Sequence, residues 1–159
     1  MSNEVKQSVA VSTTGESGAF LGRHDYSLDP KKRFTIPSEW RGALGSTVYV
    51  IPDRKEKCLN LYPKVEMDIY LGQLRQMALL DPKLNKICAA IGAVSQQLSL
   101  DVQGRIRVSD RLLQYANLTG RVAMVGSVRM IKLYNPDVLG PEDAIDIEAF
   151  DAIMSEAGM

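Results

Sequence analysis

The chain has 159 residues, 45% hydrophobic and 24% charged, with 19 Lys and Arg against 19 Asp and Glu. That length allows one ordinary core or two small ones, and no run approaches the 18 apolar residues of a membrane-crossing helix. The neutral total hides an asymmetry: residues 136–159 hold seven acids and no Lys or Arg, leaving residues 1–135 at +7. A basic body points towards a nucleic-acid partner, the bland alternative being an acidic tail that tunes solubility.

Residues 1–18 are rich in Ser, Thr and Gly without an apolar stretch, which predicts a disordered tail and no secretory signal. Residues 20–28 predict a strand. Asp29-Pro30-Lys31-Lys32 predicts a tight turn, because Asp opens turns and Pro suits the second position. Arg33, Phe34, Thr35 and Ile36 alternate as in a half-buried strand. Pro37 and Ser38 then open a helix reaching Leu44, with Ser38 as cap, Glu39 at the positive end of the dipole, Trp40 in the core and Gly45 as stop. Residues 48–51 and 58–62 predict a hairpin across a polar turn. Pro63 suits a helix start, and Val65, Ile69, Leu71, Leu74, Met77 and Ala78 approximate an apolar face. Asp81-Pro82 breaks that helix. A second, over residues 83–94, places Leu84, Ile87, Cys88 and Ile91 on one side, against the core or another subunit.

The second half of the chain repeats the first. His24-Asp-Tyr-Ser-Leu-Asp29-Pro-Lys-Lys-Arg33-Phe-Thr-Ile-Pro recurs as Gln96-Gln-Leu-Ser-Leu-Asp101-Val-Gln-Gly-Arg105-Ile-Arg-Val-Ser, and Leu59-Asn-Leu-Tyr62 recurs as Ile131-Lys-Leu-Tyr134. Strand, turn, strand, short helix and two strands are therefore expected twice, with Ser109 or Asp110 capping the second helix. Two such units, each marginal alone, are expected to share one core. The division read from this is a tail over 1–18, repeats over 19–66 and 95–138, a helical connector over 67–94, and an acidic helix or tail over 139–159, its helix placed at residues 142–154.

Asp29 and Asp101 are read as structuring their own turns by accepting backbone N–H bonds or pairing with Arg33 and Arg105. The cations exceed what a turn needs. Lys31, Lys32 and Arg33 stand in succession, Arg23 and Arg41 add charge near the first turn, and Arg107 and Arg111 near the second. Guanidinium forks onto phosphate or the guanine edge, and ammonium anchors phosphate. Enzyme chemistry finds no constellation: His24 is the lone histidine, and Ser95, Ser99 and Ser109 have none in their own repeat to activate them. Neither Gly-x-Ser-x-Gly nor a phosphate loop is present. Cys58 and Cys88 show no metal spacing and read as small buried thiols in a reducing cytoplasm. No catalytic residue, metal, cofactor or small-molecule substrate is expected.

These residues resemble the MraZ family of bacterial transcriptional regulators. The likeness rests on the twin motifs Asp29-Pro-Lys-Lys-Arg33 and Asp101-Val-Gln-Gly-Arg105, and on Ile36-Pro37 with Arg41 and Val108 with Leu112-Leu113. Cys58-Leu-Asn-Leu-Tyr-Pro63 and Val122-Ala-Met-Val-Gly126 add to it, over roughly residues 22–138. The resemblance implies an α+β, mainly β fold: two tandem swapped-hairpin, AbrB-like repeats forming one pseudo-symmetric β-barrel body with connecting helices. It also implies a cytoplasmic, nucleoid-associated homo-oligomeric ring that binds short direct repeats in double-stranded promoter DNA. The target implied is the promoter of the division and cell-wall gene cluster, and so its own operon. The contacts it implies are Lys31, Lys32 and Arg33 first, Arg105 and Arg107 second. The charge is uneven, Lys31-Lys32-Arg33 against Gln103-Gly104-Arg105, so the first hairpin is expected to read DNA and the second repeat mainly to complete the barrel and ring. Lys32 stands where the family usually carries Gly, so a different geometry is expected in the first turn. An oligomeric protein-interaction scaffold without a specific DNA site is the alternative function.

Overall fold

The computed structural model describes residues 18–139 and 147–159. The tail expected over 1–18 lies outside them except for Gly18. In chain order the elements are β1 (Arg23–Ser27), β2 (Arg33–Thr35), α1 (Ser38–Leu44), β3 (Thr47–Asp53), β4 (Cys58–Pro63), α2 (Lys64–Leu80) and α3 (Leu84–Val94). Then come β5 (Gln96–Ser99), β6 (Arg105–Arg107), α4 (Asp110–Tyr115), β7 (Arg121–Gly126), β8 (Ile131–Tyr134), α5 (Pro136–Leu139) and α6 (Ile147–Glu156). The protein is mixed α+β, mainly sheet, with every strand pair antiparallel.

Six strands form one sheet in the order β1-β7-β8-β4-β3-β5, and β2 and β6 form a separate two-stranded ribbon. The sheet has two edges, β1 and β5, so the expected closed barrel is corrected to an open sheet facing a ribbon. The repeats share these sheets by exchange. β1 of the first repeat pairs with β7 of the second, and β5 of the second pairs with β3 of the first. At two places a residue meets its own counterpart, Phe34 opposite Ile106 and Asn60 opposite Lys132, so a pseudo-two-fold axis runs through both pairs.

The repeat is not uniform in spacing. Tyr26 pairs with Val122 and its counterpart Leu98 with Val48. Likewise the Leu28 N–H donates to Gly120 O and the Leu100 N–H to Ser46 O. Val48 and Val122 are thus equivalent although two residues off the offset relating Phe34 to Ile106. The second repeat gains two residues between α4 and β7 and loses two in the β7–β8 turn.

The main core lies between the ribbon and one face of the sheet. Phe34 and Ile106 point inwards from the ribbon, Trp40, Leu44, Leu112 and Leu113 come from α1 and α4, and Val48, Leu59, Leu61, Val122, Met124, Ile131 and Leu133 come from the sheet. Side chains of this kind contribute roughly 1.5–3 kcal/mol each when fully buried. Phe20 joins them through a bridge to Val128, its chain passing so close to Gly126 that a Cβ there would overlap the Phe20 carbonyl group. On the other face, α2 and α3 cover Ile51 and Tyr62 with Met67, Tyr70, Leu71 and Ile91.

Several local expectations are corrected. α1 begins at Ser38 itself, Pro37 is its N-cap, and no side chain caps it. In the second repeat the Ser109 Oγ accepts the Leu112 N–H at 3.4 Å. The buried side of α2 is set by Met67, whereas Val65, Ile69 and Met77 are exposed. On α3, Ile87 is exposed and only Leu84, Cys88 and Ile91 are half-buried. Cys58 is fully buried. The acidic helix expected over 142–154 is described only as α6, since residues 140–146 fall outside the described residues.

Candidate nucleic-acid interface

The two Asp-x-x-x-Arg motifs build the same turn. Asp29 Oδ1 accepts the Lys31 and Arg33 N–H groups at 2.9 and 2.8 Å, and Oδ2 accepts Arg33 Nε at 2.7 Å. Asp101 Oδ1 accepts the Gln103 and Arg105 N–H groups, both at 2.9 Å, and Oδ2 accepts Arg105 Nε at 2.8 Å. Each turn is closed by a backbone bond three residues back, from Lys32 N–H to Asp29 O at 2.8 Å and from Gly104 N–H to Asp101 O at 2.9 Å. A type I turn followed by a left-handed residue is a favoured hairpin loop. Gly104 takes that position at φ 78°, and Lys32 takes it at φ 60°. The expected difference in turn geometry is therefore absent: the lysine adopts the glycine's conformation.

The carboxylates are held ionised by these bonds. The Arg33 N–H, opposed by burial and helped by the Arg33 guanidinium, lowers the Asp29 pKa. The Arg105 N–H does the same for Asp101, lowering it from 3.8 to about 2. Each aspartate thus holds its own turn through three hydrogen bonds.

Placing the basic residues requires the exchanged topology. In the ribbon Arg33 lies opposite Arg107 and Thr35 opposite Arg105, while Phe34 and Ile106 between them face the core. Strand alternation puts Arg33, Thr35, Arg105 and Arg107 together on the outward face. Because the strands are antiparallel, the two turns lie at opposite ends, with Lys31 and Lys32 exposed at the first. All five predicted cations thus share one ribbon and its tip, and Thr35 completes the face.

The remaining arginines are not where sequence proximity places them. Arg41, expected beside the first turn, donates from Nε to Ile36 O at 2.8 Å and packs against Gly104 in the second. Arg107, expected beside the second turn, lies across the ribbon at the first. It bonds to Val108 O and to Asp110 Oδ1, the latter at 2.9 Å, and Lys32 Nζ reaches the same oxygen at 3.5 Å. The Arg107 hydrogen bond and the Lys32 charge lower the Asp110 pKa. Arg23 binds Asp25 at 2.8 Å and is almost buried, and Arg111 donates to Ala93 O at 3.1 Å. The role of Asp110 as the junction between repeats was missed, because only the cross-ribbon register reveals it. His24 packs edge-on against Trp40 at 4.9 Å between centroids, with Glu39 3.5 Å away.

These features define a class of protein: a duplicated α+β chain whose repeats interlock through one sheet and display a ribbon lined with arginine. Comparison with known proteins adds a family to that description. A family model described as "MraZ protein, putative antitoxin-like" matches residues 19–88. The chain is 28% identical to "Transcriptional regulator MraZ" of Clostridium acetobutylicum, over 88% of this chain and 99% of that one. It is 31% identical to the protein of the same name from Pseudomonas fluorescens (82% and 89% covered) and 32% identical to that of Pseudomonas savastanoi pv. phaseolicola (74% and 81% covered). The chain belongs to the MraZ family.

Proposed function

We propose that this chain is a sequence-specific, DNA-binding transcriptional regulator that lays the β2–β6 ribbon into the major groove of promoter DNA. The observation that carries this reading is the outward ribbon face, where Arg33, Arg105 and Arg107 stand together with Lys31 and Lys32 at one end. A two-stranded ribbon is one of the elements the major groove admits. In Arg33 and Arg105 the Nε–H is taken by the aspartate, which fixes the guanidinium plane and leaves terminal N–H groups to reach guanine O6 and N7. Lys31 and Lys32 supply phosphate anchoring and a steep salt dependence. The names of the relatives support the regulatory role.

We read residues 19–66 and 95–138 as the two AbrB-like, swapped-hairpin units joined by the connector at 67–94, a reading supported by the exchange of β1 and β5 between repeats. The regulator acts as a homo-oligomeric ring in the cytoplasm, at the nucleoid. The exposed Val65, Ile69, Leu79, Leu80 and Ile87 of α2, its end and α3 support association. A ring presents one ribbon per subunit to short direct repeats, so weak single contacts are strengthened by effective concentration. The target is the division and cell-wall gene cluster promoter, upstream of its own reading frame, where bound protein blocks polymerase.

Arg107→Ala tests the ribbon without removing a turn pair. Promoter affinity measured by gel-shift titration at fixed salt is expected to fall at least tenfold, about 1.4 kcal/mol, with the oligomer intact. Unchanged affinity removes the ribbon from the mechanism. Selection from a random DNA pool is expected to enrich spaced direct repeats, and enrichment of nothing favours the interaction scaffold.

A further inference from the structure

An apolar groove of about 380 Å³ opens where α3 meets α4. Ile91 and Val94 of α3 and Leu112 and Tyr115 of α4 form its walls, and Arg54 and Arg111 line it as the charged members. Lys57 adds a third cation, its Nζ standing 4.5 Å over the Tyr115 ring. The rim is therefore basic and the floor apolar. Its occupant should be an amphipathic segment with acids beside a large apolar side chain.

The chain owns such a segment. In α6, Ile147, Phe150 and Ile153 recur at helical spacing and are 66%, 55% and 63% exposed. Asp151 and Glu156 are exposed on the same helix, which has no Lys or Arg. An apolar helical stripe left to water is the pattern of a helix that completes its packing in a groove, with i and i+3 anchors. In this structure the stripe faces solvent and lines no part of the groove of its own chain, which leaves it open to a second copy.

We propose that α6 of one copy seats in the α3–α4 groove of a second copy, with Phe150 entering between Val94 and Tyr115 and the helix's acids facing Arg54 and Arg111. Charge complementarity selects this occupant over a neutral apolar one, and it sets the helix's direction along the groove. The contact makes the acidic end of the chain an assembly element. It does not depend on DNA binding, and the test contains no DNA.

Two full-length proteins are mixed in a Cys88→Ser background, one carrying Ile153→Cys on the helix and the other Val94→Cys in the groove. A short bismaleimide is then added. Covalent dimers joining the two proteins are expected, with a yield that falls at least tenfold when Phe150→Asp is added to the helix donor or Arg111→Glu to the groove donor. All these positions except Val94 and Cys88 are well exposed, so folding, read by circular dichroism, is expected to be unchanged. The proposal is overturned by an absence of mixed dimers or by a yield indifferent to Phe150→Asp and Arg111→Glu.

Discussion

Lys32 and Gly104 hold the same left-handed position in two turns with matching hydrogen bonds, at φ 60° and 78°. Only one of them is a residue suited to that conformation. A non-glycine residue there costs roughly 1–2 kcal/mol, and at Lys32 that cost is accepted where the ammonium joins Arg107 at Asp110. Lys32→Gly is expected to raise stability by about 0.5–1 kcal/mol, offset in part by glycine's unfolded-state entropy. The same change is expected to weaken DNA binding and flatten its salt dependence by about one phosphate contact. Urea unfolding and a salt series of binding titrations read the two effects separately. A loss of both stability and affinity would sink the argument.

The converse substitution has the opposite sign. Gly104→Ala forces a Cβ into a positive-φ position and against Arg41 Nε, whose bond to Ile36 O is then displaced. A loss of about 1–2 kcal/mol is expected. In the Arg41→Ala background the loss is expected to be smaller, because only the backbone strain remains. Equal losses in both backgrounds, measured by denaturant midpoint, would show that the packing against Arg41 is irrelevant.

Gly126 is constrained by backbone where Gly104 is constrained by a side chain. Its N–H donates to Gly22 O at 2.8 Å, and an added Cβ would strike Phe20 and Leu21 main-chain atoms that cannot swing away. Gly126→Ala is expected to cost roughly 1–3 kcal/mol and to free residues 20–22 from the sheet, which hydrogen exchange at the Phe20 amide reports. Full protection of that amide in the variant refutes the close approach.

Acid should loosen the turns within a defined window. The Asp101 pKa is depressed to about 2 from 3.8, so its ionised form favours the folded turn. The contribution is complete above about pH 5 and is lost as pH falls from about 4 through 2. The Asp101 carboxyl resonance is expected to titrate near 2, and in an Arg105→Ala variant to move upward towards the ordinary value. A wild-type midpoint near 4 would contradict the turn as described.

On the sheet face opposite the main core, Lys132 Nζ contacts Asp53 Oδ2 and Asn60 Oδ1, both at 2.9 Å, and Asn60 Nδ2 donates to Asp53 at 3.2 Å. Burial works against the Asp53 charge, but the bonds from Lys132, the Glu56 N–H and the Asn60 amide together outweigh it, holding the carboxyl at about 2. Tyr134 bonds Glu56 beside them, and burial with that bond raises the phenol pKa. Lys132→Met removes the shared cation and is expected to cost about 2–3 kcal/mol, less than a fully buried pair. Adding Asp53→Asn should recover part of that loss, and additive effects in the double-mutant cycle would deny the coupling.

Much of the fold was legible because it is local. The paired Asp-x-x-x-Arg turns, the alternation through Phe34 and Ile106, Gly45 as a stop and the break at Asp81-Pro82 each follow from near neighbours in sequence. What was not legible is what crosses between repeats. Periodicity assigns Phe34 to the core but cannot say that Ile106 lies opposite it. Without that pairing Arg41 and Arg107 attach to the wrong turns. The face of α2 failed for a related reason: it is apolar on more than one side, and only the sheet it meets selects Met67 over Val65 and Ile69. The cations of the ribbon were found as a set, but their common face came from the register.

The exchange of strands also sets a schedule for synthesis. β1 emerges from the ribosome early, yet among the described residues its only sheet partner is β7, and β4 lacks its β8 neighbour until Tyr134 has appeared. At roughly 5–20 residues per second the first half waits several seconds with its strand edges bare. During that wait a neighbouring nascent chain offers the same edges, so the hazard to the newborn protein is pairing with its twin's first half before meeting its own second.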